Sequence, residues 1–181
     1  DPARVGELPL VDAAIKEAMR LTPIAPAVTR HLKRPVTIGP YDLPAGAMVW
    51  PCVVLTHRRP DLFPDPLRYD PSRFLGGAVA SHHFFPFGGG RRTCIGLSFA
   101  SFEMRIVLAE ILHIADLSLP SGTRVPAELR GVTVAPAKSF SVAYAGPRRR
   151  SVEPERLHRI ESRGPPCGPE RGDEGHEEPP R

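Results

Sequence analysis

Hydrophobic positions mark two helices and several short strands. Val11, Ala14, Ile15, Ala18 and Met19 recur at three- and four-residue steps, which predicts an amphipathic helix over residues 10–21. Pro23 and Pro26 stop it, and Asp12, Lys16, Glu17 and Arg20 fall on its other face. Residues 36–38 and 47–50 read as strands, with Gly39-Pro40 and Pro44-Ala45-Gly46 as turns between them. Residues 57–75 keep no period, but Phe63, Tyr69 and Phe74 are spread through them, which predicts an ordered irregular loop. Gly88, Gly89 and Gly90 punctuate the chain ahead of a second helix over residues 95–115. Ile95, Phe99, Phe102, Ile106 and Ala109 form one stripe of it, and Ala100, Met104, Val107 and Ile111 lie beside them. A helix apolar nearly all round reads as buried. Residues 117–119, 131–135 and 140–144 are predicted as short closing strands. The elements mix helices with short strands and show no internal repeat.

The pattern stops near Gly146-Pro147. Residues 147–181 carry eight Arg, eight Asp or Glu and seven Pro, with Val152, Leu157, Ile160 and Cys167 as their only hydrophobic positions. Such a segment cannot bury enough apolar surface to offset its ordering entropy and is predicted as a disordered tail. The body is therefore residues 1–146. Its charges and those of the tail sum to +4, all of it in the body, because the tail is balanced. That mild excess calls for no nucleic acid. No run of 18 apolar residues exists, so no membrane span is indicated. Cys52, Cys94 and Cys167 are too far apart to form a disulfide framework, which favours a reducing compartment. The chain opens on Asp1 rather than Met, which suggests a piece of a longer protein and leaves targeting unread. A soluble, bacterial-type cytoplasmic protein is the expectation.

The chemistry concentrates in Phe84-Phe85-Pro86-Phe87-Gly88-Gly89-Gly90-Arg91-Arg92-Thr93-Cys94-Ile95-Gly96. Cys94 lies where a glycine-rich loop meets a helix N-terminus, whose amides and dipole favour a thiolate. Gly90 and Gly96 permit a flat ligand to approach the backbone. Arg92 could pair with a carboxylate of that ligand, and Phe87 could pack on the sulfur and limit water. A lone cysteine in a turn is more often structural. Neither a zinc site nor a cysteine nucleophile competes well. His57, His82, His83 and Cys94 lack the tight paired spacing of zinc ligands, and Cys94 has no evident base.

The spacing of Phe87, Gly90, Arg92, Cys94 and Gly96 resembles the heme-binding signature of the cytochrome P-450 superfamily. Glu17-Ala18-Met19-Arg20 is similar to the Glu-x-x-Arg of that family's K helix, and Pro71-Ser72-Arg73-Phe74 to the Pro-x-Arg-Phe of its meander, with a serine where glutamate is often found. The motifs occur in the family's order. The resemblance runs from residue 1 to about 148 and implies an incomplete copy of the fold, from the K helix to the C-terminus; with it, the fold class expected is mainly α with small β-sheets (α+β). It implies that Cys94 is the thiolate ligand of heme b iron, where thiolate donation promotes O–O cleavage. Arg92 and Arg30 would bind heme propionates, with Phe87, Gly90 and Gly96 completing the cofactor loop. Glu17, Arg20 and Arg73 would form a buried ion triad. Glu17 and Arg20 meet as an i, i+3 pair.

Residues 24–29, with Ala27 and Val28, and the turn containing Pro136 and Ala137 would face substrate. Arg91 and Arg105 would contribute to a basic patch for a ferredoxin- or reductase-type electron donor. The family's I helix, with its acid–alcohol pair and distal wall, lies upstream of this region. Two functions follow. The parent protein would be a heme-thiolate monooxygenase that inserts one atom of O2 into a small organic substrate. The chain alone would be a non-catalytic truncated product with at most weak heme binding. Without the upstream helices, the second predicted helix would be unusually exposed.

Overall fold

A computed structural model describes residues 8–77, 79–123, 125–137 and 140–147. Contacts divide the chain into residues 1–148 and 149–181, and every described residue belongs to the first unit. The predicted tail lies outside the described residues except for Pro147, which ends a strand.

Helix α1 spans Pro9–Leu21. Its proline sits in the first turn, where no amide hydrogen bond is lost, with Asp12 near the positive end and Arg20 near the negative end. Thr22 closes it by donating from both its amide and its hydroxyl to the Ala18 carbonyl. The buried face holds Ala13, Ile15, Glu17 and Arg20, whereas Ala18 is exposed. The alternation alone had put Glu17 and Arg20 on the solvent side; the chain that wraps this face supplies polar partners, so the charged side is the one enclosed.

Strand β1, Arg30–His31, pairs antiparallel with β4, Met48–Val49. Between them β2, Val36–Ile38, and β3, Tyr41–Leu43, form a hairpin that places Ile38 opposite Tyr41. The sequence pattern had placed two turns between 36–38 and 47–50 but no strand between those turns. Gly39, at φ +58°, followed by Pro40 turns the chain back within two residues. Helix α2, Val53–His57, was not expected, and a helix of five residues is too short to show a period. Its Val53 and His57, one turn apart, are both fully buried. The irregular stretch that follows is ordered around Phe63, which is 3% exposed, and contains a single 3-10 turn at Pro71–Phe74 capped by Asp70.

Helix α3 spans Leu97–Ile114 and leads directly into β5, Ala115–Ser118. β5 pairs with β8, Ala143–Pro147, and β6, Ala127–Arg130, pairs with β7, Thr133–Pro136. β6 had been missed because Ala-Glu-Leu-Arg reads as helix-forming; Gly131, at φ +65°, turns it into a hairpin with β7. α3 has no buried residue, and Phe99 is 71% exposed, which departs from the buried reading of its composition and agrees with the exposure expected in the absence of the upstream helices. α1 meets α3 along one side, where an apolar groove of about 610 Å3 is lined by Ala18, Met19, Met104, Val107 and Leu108. No helix among the described residues is long and apolar enough to cross a membrane.

Candidate functional site

The polar feature enclosed most fully among the described residues is the ion cluster on α1. Arg20 clamps Glu17 in two bonds, Nε to Oε2 at 2.6 Å and Nη2 to Oε1 at 2.8 Å. Its Nη1 also donates to the carbonyls of His57 and Pro66, both at 2.8 Å, and Nη2 to that of Arg68 at 3.2 Å. The Asp70 amide donates to Glu17 Oε1 at 2.9 Å. Both charged side chains are fully enclosed. A buried charge pair is tolerated only when its remaining donors and acceptors are satisfied, and here main-chain groups of the irregular stretch do so. Arg73 joins more loosely. Its Nε lies 3.5 Å from Glu17 Oε1 without a hydrogen bond, while Nη2 donates to the Asp65 carbonyl at 3.2 Å. The structure thus brings Glu17, Arg20 and Arg73 together.

His57 sits against this cluster and was not singled out as a site residue. Its ring is stacked on Phe84 and meets Phe85 and Phe63 edge-on. Nε2 accepts the Phe85 amide at 3.0 Å. Burial pushes its pKa down to about 4; the Arg20 backbone acceptor opposes this, the Arg20 guanidinium adds to it, and the Met19 backbone opposes it again. A nitrogen engaged in this way has no lone pair to offer zinc. His82 and His83 lie ring to ring, and among the described residues no group of three or more His, Cys, Asp or Glu is placed to hold a metal ion.

From Phe85 the chain enters the glycine loop. Gly88 N–H donates to the Phe85 carbonyl and Cys94 N–H to the Phe87 carbonyl, each at 2.9 Å. Gly88 and Gly90 have positive φ, +75° and +65°, which L side chains rarely adopt. Residues Gly90–Arg92 make one 3-10 turn, tied by the Thr93 hydroxyl to the Gly90 carbonyl. Cys94 is free and exposed just before α3. A Cβ on Gly96 would stand 3.8 Å from Cys94 Sγ, so the glycine leaves the sulfur's flank clear. Phe87 is half-buried. Arg92 is exposed and makes no hydrogen bond or ion pair among the described residues. A pocket of about 630 Å3 beside the loop is lined by Phe85, Phe87, Leu97 and Arg105 but not by Cys94, so it is not the face the sulfur presents.

Val28 reaches this loop, since a Cβ on Gly88 would meet its Cγ1 at 3.9 Å. Two residues on, Arg30 begins β1, with Nη1 bonded locally to the Thr29 carbonyl. Ala27 forms an isolated bridge with Cys52. Ile24 accepts from Val134 of β7 at 2.7 Å, which brings the segment after α1 to the closing hairpin. There Pro136 is exposed, but Ala137 is buried and bonded to Pro126. Arg105 and Arg91 were expected to contribute to a basic patch. Arg105 is held by Asp12, as is Lys16, so Asp12 offsets part of their charge. Partial burial works to raise the Asp12 pKa, but the bonds from Lys16 and Arg105 outweigh it and hold the carboxyl below its usual value. Arg91 is exposed.

A thiol on a glycine-framed loop, preceded by arginine and followed by a helix with exposed apolar side chains, sets a soft ligand, a cation and an apolar surface close together in the chain. The Cytochrome P450 family model matches residues 3–143. The chain belongs to the cytochrome P450 family. It is 39% identical over 132 residues to the putative cytochrome P450 135B1 of Mycobacterium bovis, covering 73% of this chain and 28% of the relative. It is 40% identical over 132 residues to the taurochenodeoxycholic 6 alpha-hydroxylase of Sus scrofa, covering 72% and 26%. Among solved structures, it is similar to the retinoic acid-bound cyanobacterial CYP120A1, with a TM-score of 0.71 and 29% identity over 78% of this chain and 33% of that one. A second cytochrome P450, CYP102L1, gives a TM-score of 0.69 at 28% identity, covering 81% and 33%. The chain therefore spans little more than a quarter of the length of these curated relatives, and its α+β arrangement with small sheets is the corresponding part of a cytochrome P450 fold.

Proposed function

We propose that this chain forms the thiolate side of the heme site of a cytochrome P450 monooxygenase. The observation that carries the reading is Cys94: exposed, free, and flanked by Gly96, which has no side chain to cover its sulfur. In this reading Cys94 Sγ, as thiolate, holds the iron of heme b. Arg92 and Arg30 bind its propionates as charge-assisted partners. Phe87, Gly90 and Gly96 shape the loop against it, and the backbone amides after Cys94 tune the sulfur. When bound, the heme supplies the redox chemistry by which one atom of O2 enters an organic substrate, with electrons from a ferredoxin- or reductase-type partner. The hydroxylase among the relatives supports that reaction class. Glu17, Arg20 and Arg73 hold the irregular stretch beneath the loop and touch no reacting group. Ala27, Val28, Pro136 and Ala137 border the substrate side, with Val28 already beside the loop.

The full reaction belongs to a protein about the length of the relatives, and the 181-residue chain by itself has no monooxygenase turnover in this proposal. The test is an absorbance spectrum of the purified chain with added hemin, reduced under carbon monoxide. A red-shifted thiolate-type Soret band, lost in Cys94→Ala and kept in Cys52→Ala, is the expected result. Its absence from folded wild-type protein, or its persistence in Cys94→Ala, overturns the assignment of Cys94. Coupled hydroxylation by the chain alone, abolished in Cys94→Ala, overturns the statement that it is inactive.

A further inference from the structure

We infer that His57 is a positioning residue for the Cys94 loop: its imidazole, by accepting the Phe85 amide, fastens that loop to the buried ion cluster. The inference deepens the proposed heme-binding function and rests on it for its consequence at Cys94.

The connection can be followed bond by bond. Arg20 Nη1 donates to the His57 carbonyl at 2.8 Å, and the Phe85 amide donates to His57 Nε2 at 3.0 Å. The Phe85 carbonyl accepts from Gly88, and the Phe87 carbonyl accepts from Cys94. The loop between carries three consecutive glycines, so its own backbone imposes little rigidity. One end is fixed by α3. The other end is fixed at Phe85, and His57 is the side chain that fixes it.

Packing alone does not call for histidine here. The ring is fully buried among Phe63, Phe84 and Phe85, a setting that would suit another phenylalanine. Nδ1 is buried with no hydrogen bond of ordinary geometry, a cost an apolar ring would avoid. What the imidazole adds is an acceptor at Nε2, to which the Phe85 amide donates at 3.0 Å. Only the neutral tautomer protonated on Nδ1 provides it. The charged groups nearest the ring are Arg20 and, through it, Glu17, both on α1; the side chains the loop sets against the ring are aromatic.

The test compares His57→Phe, which keeps an aromatic ring without the acceptor, with His57→Gln, whose amide oxygen reaches the Nε2 position. Val53→Ala, one turn earlier on α2, serves as a control for lost packing. In the heme-free full chain, hydrogen exchange at the Phe85 amide is expected to rise about tenfold in His57→Phe. It should stay within about twofold of wild type in His57→Gln and Val53→Ala. After hemin loading, His57→Phe should lose at least half of the thiolate-type Soret band, and the other two should keep it. Exchange in His57→Phe that matches Val53→Ala overturns the inference, as does a His57→Gln that folds yet behaves like His57→Phe. Nitrogen NMR of the wild-type imidazole decides the matter even if His57→Phe does not fold. An Nδ1–H tautomer coupled across the hydrogen bond to the Phe85 amide supports the role, and an Nε2–H tautomer refutes it. If wild type shows no Cys94-dependent band, the heme assignment fails, and exchange and tautomer still decide what His57 does.

Discussion

The two long helices invert the usual relation between hydrophobicity and burial. α1 carries charges on its enclosed face, with Glu17 and Arg20 at 0% exposure. α3 is apolar over most of its surface, yet none of its residues is buried. The difference lies in what the surrounding chain offers. Around Arg20, the carbonyls of His57, Pro66 and Arg68 and the Asp70 amide on its partner Glu17 supply a polar lining that water would otherwise provide. Around α3, the described chain offers the side of α1 and little else. Burial is a property of the partner as much as of the sequence that seeks it, and substitutions on the two helices should therefore have opposite weights.

The largest effect is expected from Arg20→Ala. It leaves the Glu17 carboxylate enclosed without its bidentate partner and orphans main-chain carbonyls, a loss of about 3–5 kcal/mol in denaturant unfolding. Arg73→Gln should cost much less, about 1 kcal/mol, because its Nε stands 3.5 Å from Glu17 with no hydrogen bond and its Nη2 bond is to an exposed carbonyl. Equal losses in the two variants would mean that the triad acts as one unit and that the enclosed pair is not its dominant part.

A smaller effect should come from pH through His57. The folded chain keeps this ring neutral down to about pH 4, whereas the unfolded chain binds a proton at about 6.5. Below about pH 6.5 the unfolded state therefore takes up a proton that the folded state refuses. Stability should be full above that pH, fall through the window from 6.5 to 4, and lose nothing further to this group below it. The expected loss by pH 4 is about 2–3 kcal/mol. Other carboxylates titrate in the same range, so the share of His57 is read as the difference between wild type and His57→Gln. Parallel pH curves for the two proteins would show that the ring is protonated without penalty.

His57 also shows where sequence ceases to be informative. The α1 helix, the glycine loop and the start of α3 are legible because local periodicity, proline stops and fixed spacing encode them. The Glu17 and Arg20 environment was legible only through the family motif, since alternation alone assigns both to solvent. α2 was hidden because Val53-Val54-Leu55-Thr56-His57 is too short for a period, and β6 because its residues favour helix. The partner of His57 lies 28 residues away at Phe85, a contact that no local pattern announces. A buried histidine followed later by paired phenylalanines is a hint, but only tertiary structure gives it meaning. The contact of Arg105 with Asp12 was hidden for a similar reason, because the two lie 93 residues apart.

The smallest effect on stability belongs to α3, and it is the sharpest probe of the contrast between the helices. Phe99 is 71% exposed, so Phe99→Ser removes almost no burial within the chain. Unfolding free energy should change by no more than about 0.5 kcal/mol, the usual range for exposed positions. Self-association should fall, because one large member of an exposed apolar surface is gone. Denaturant unfolding and sedimentation of the same two samples measure both quantities. In a protein where hydrophobic content alone decided burial, losing a phenylalanine from the more apolar helix would be the costlier change. Here it should be nearly neutral, because a side chain left mostly in solvent contributes little to the folded state whatever its transfer free energy. A loss approaching that of Arg20→Ala would mean that α3 is covered in solution, and that the contrast with α1 is one of partner identity instead of partner supply.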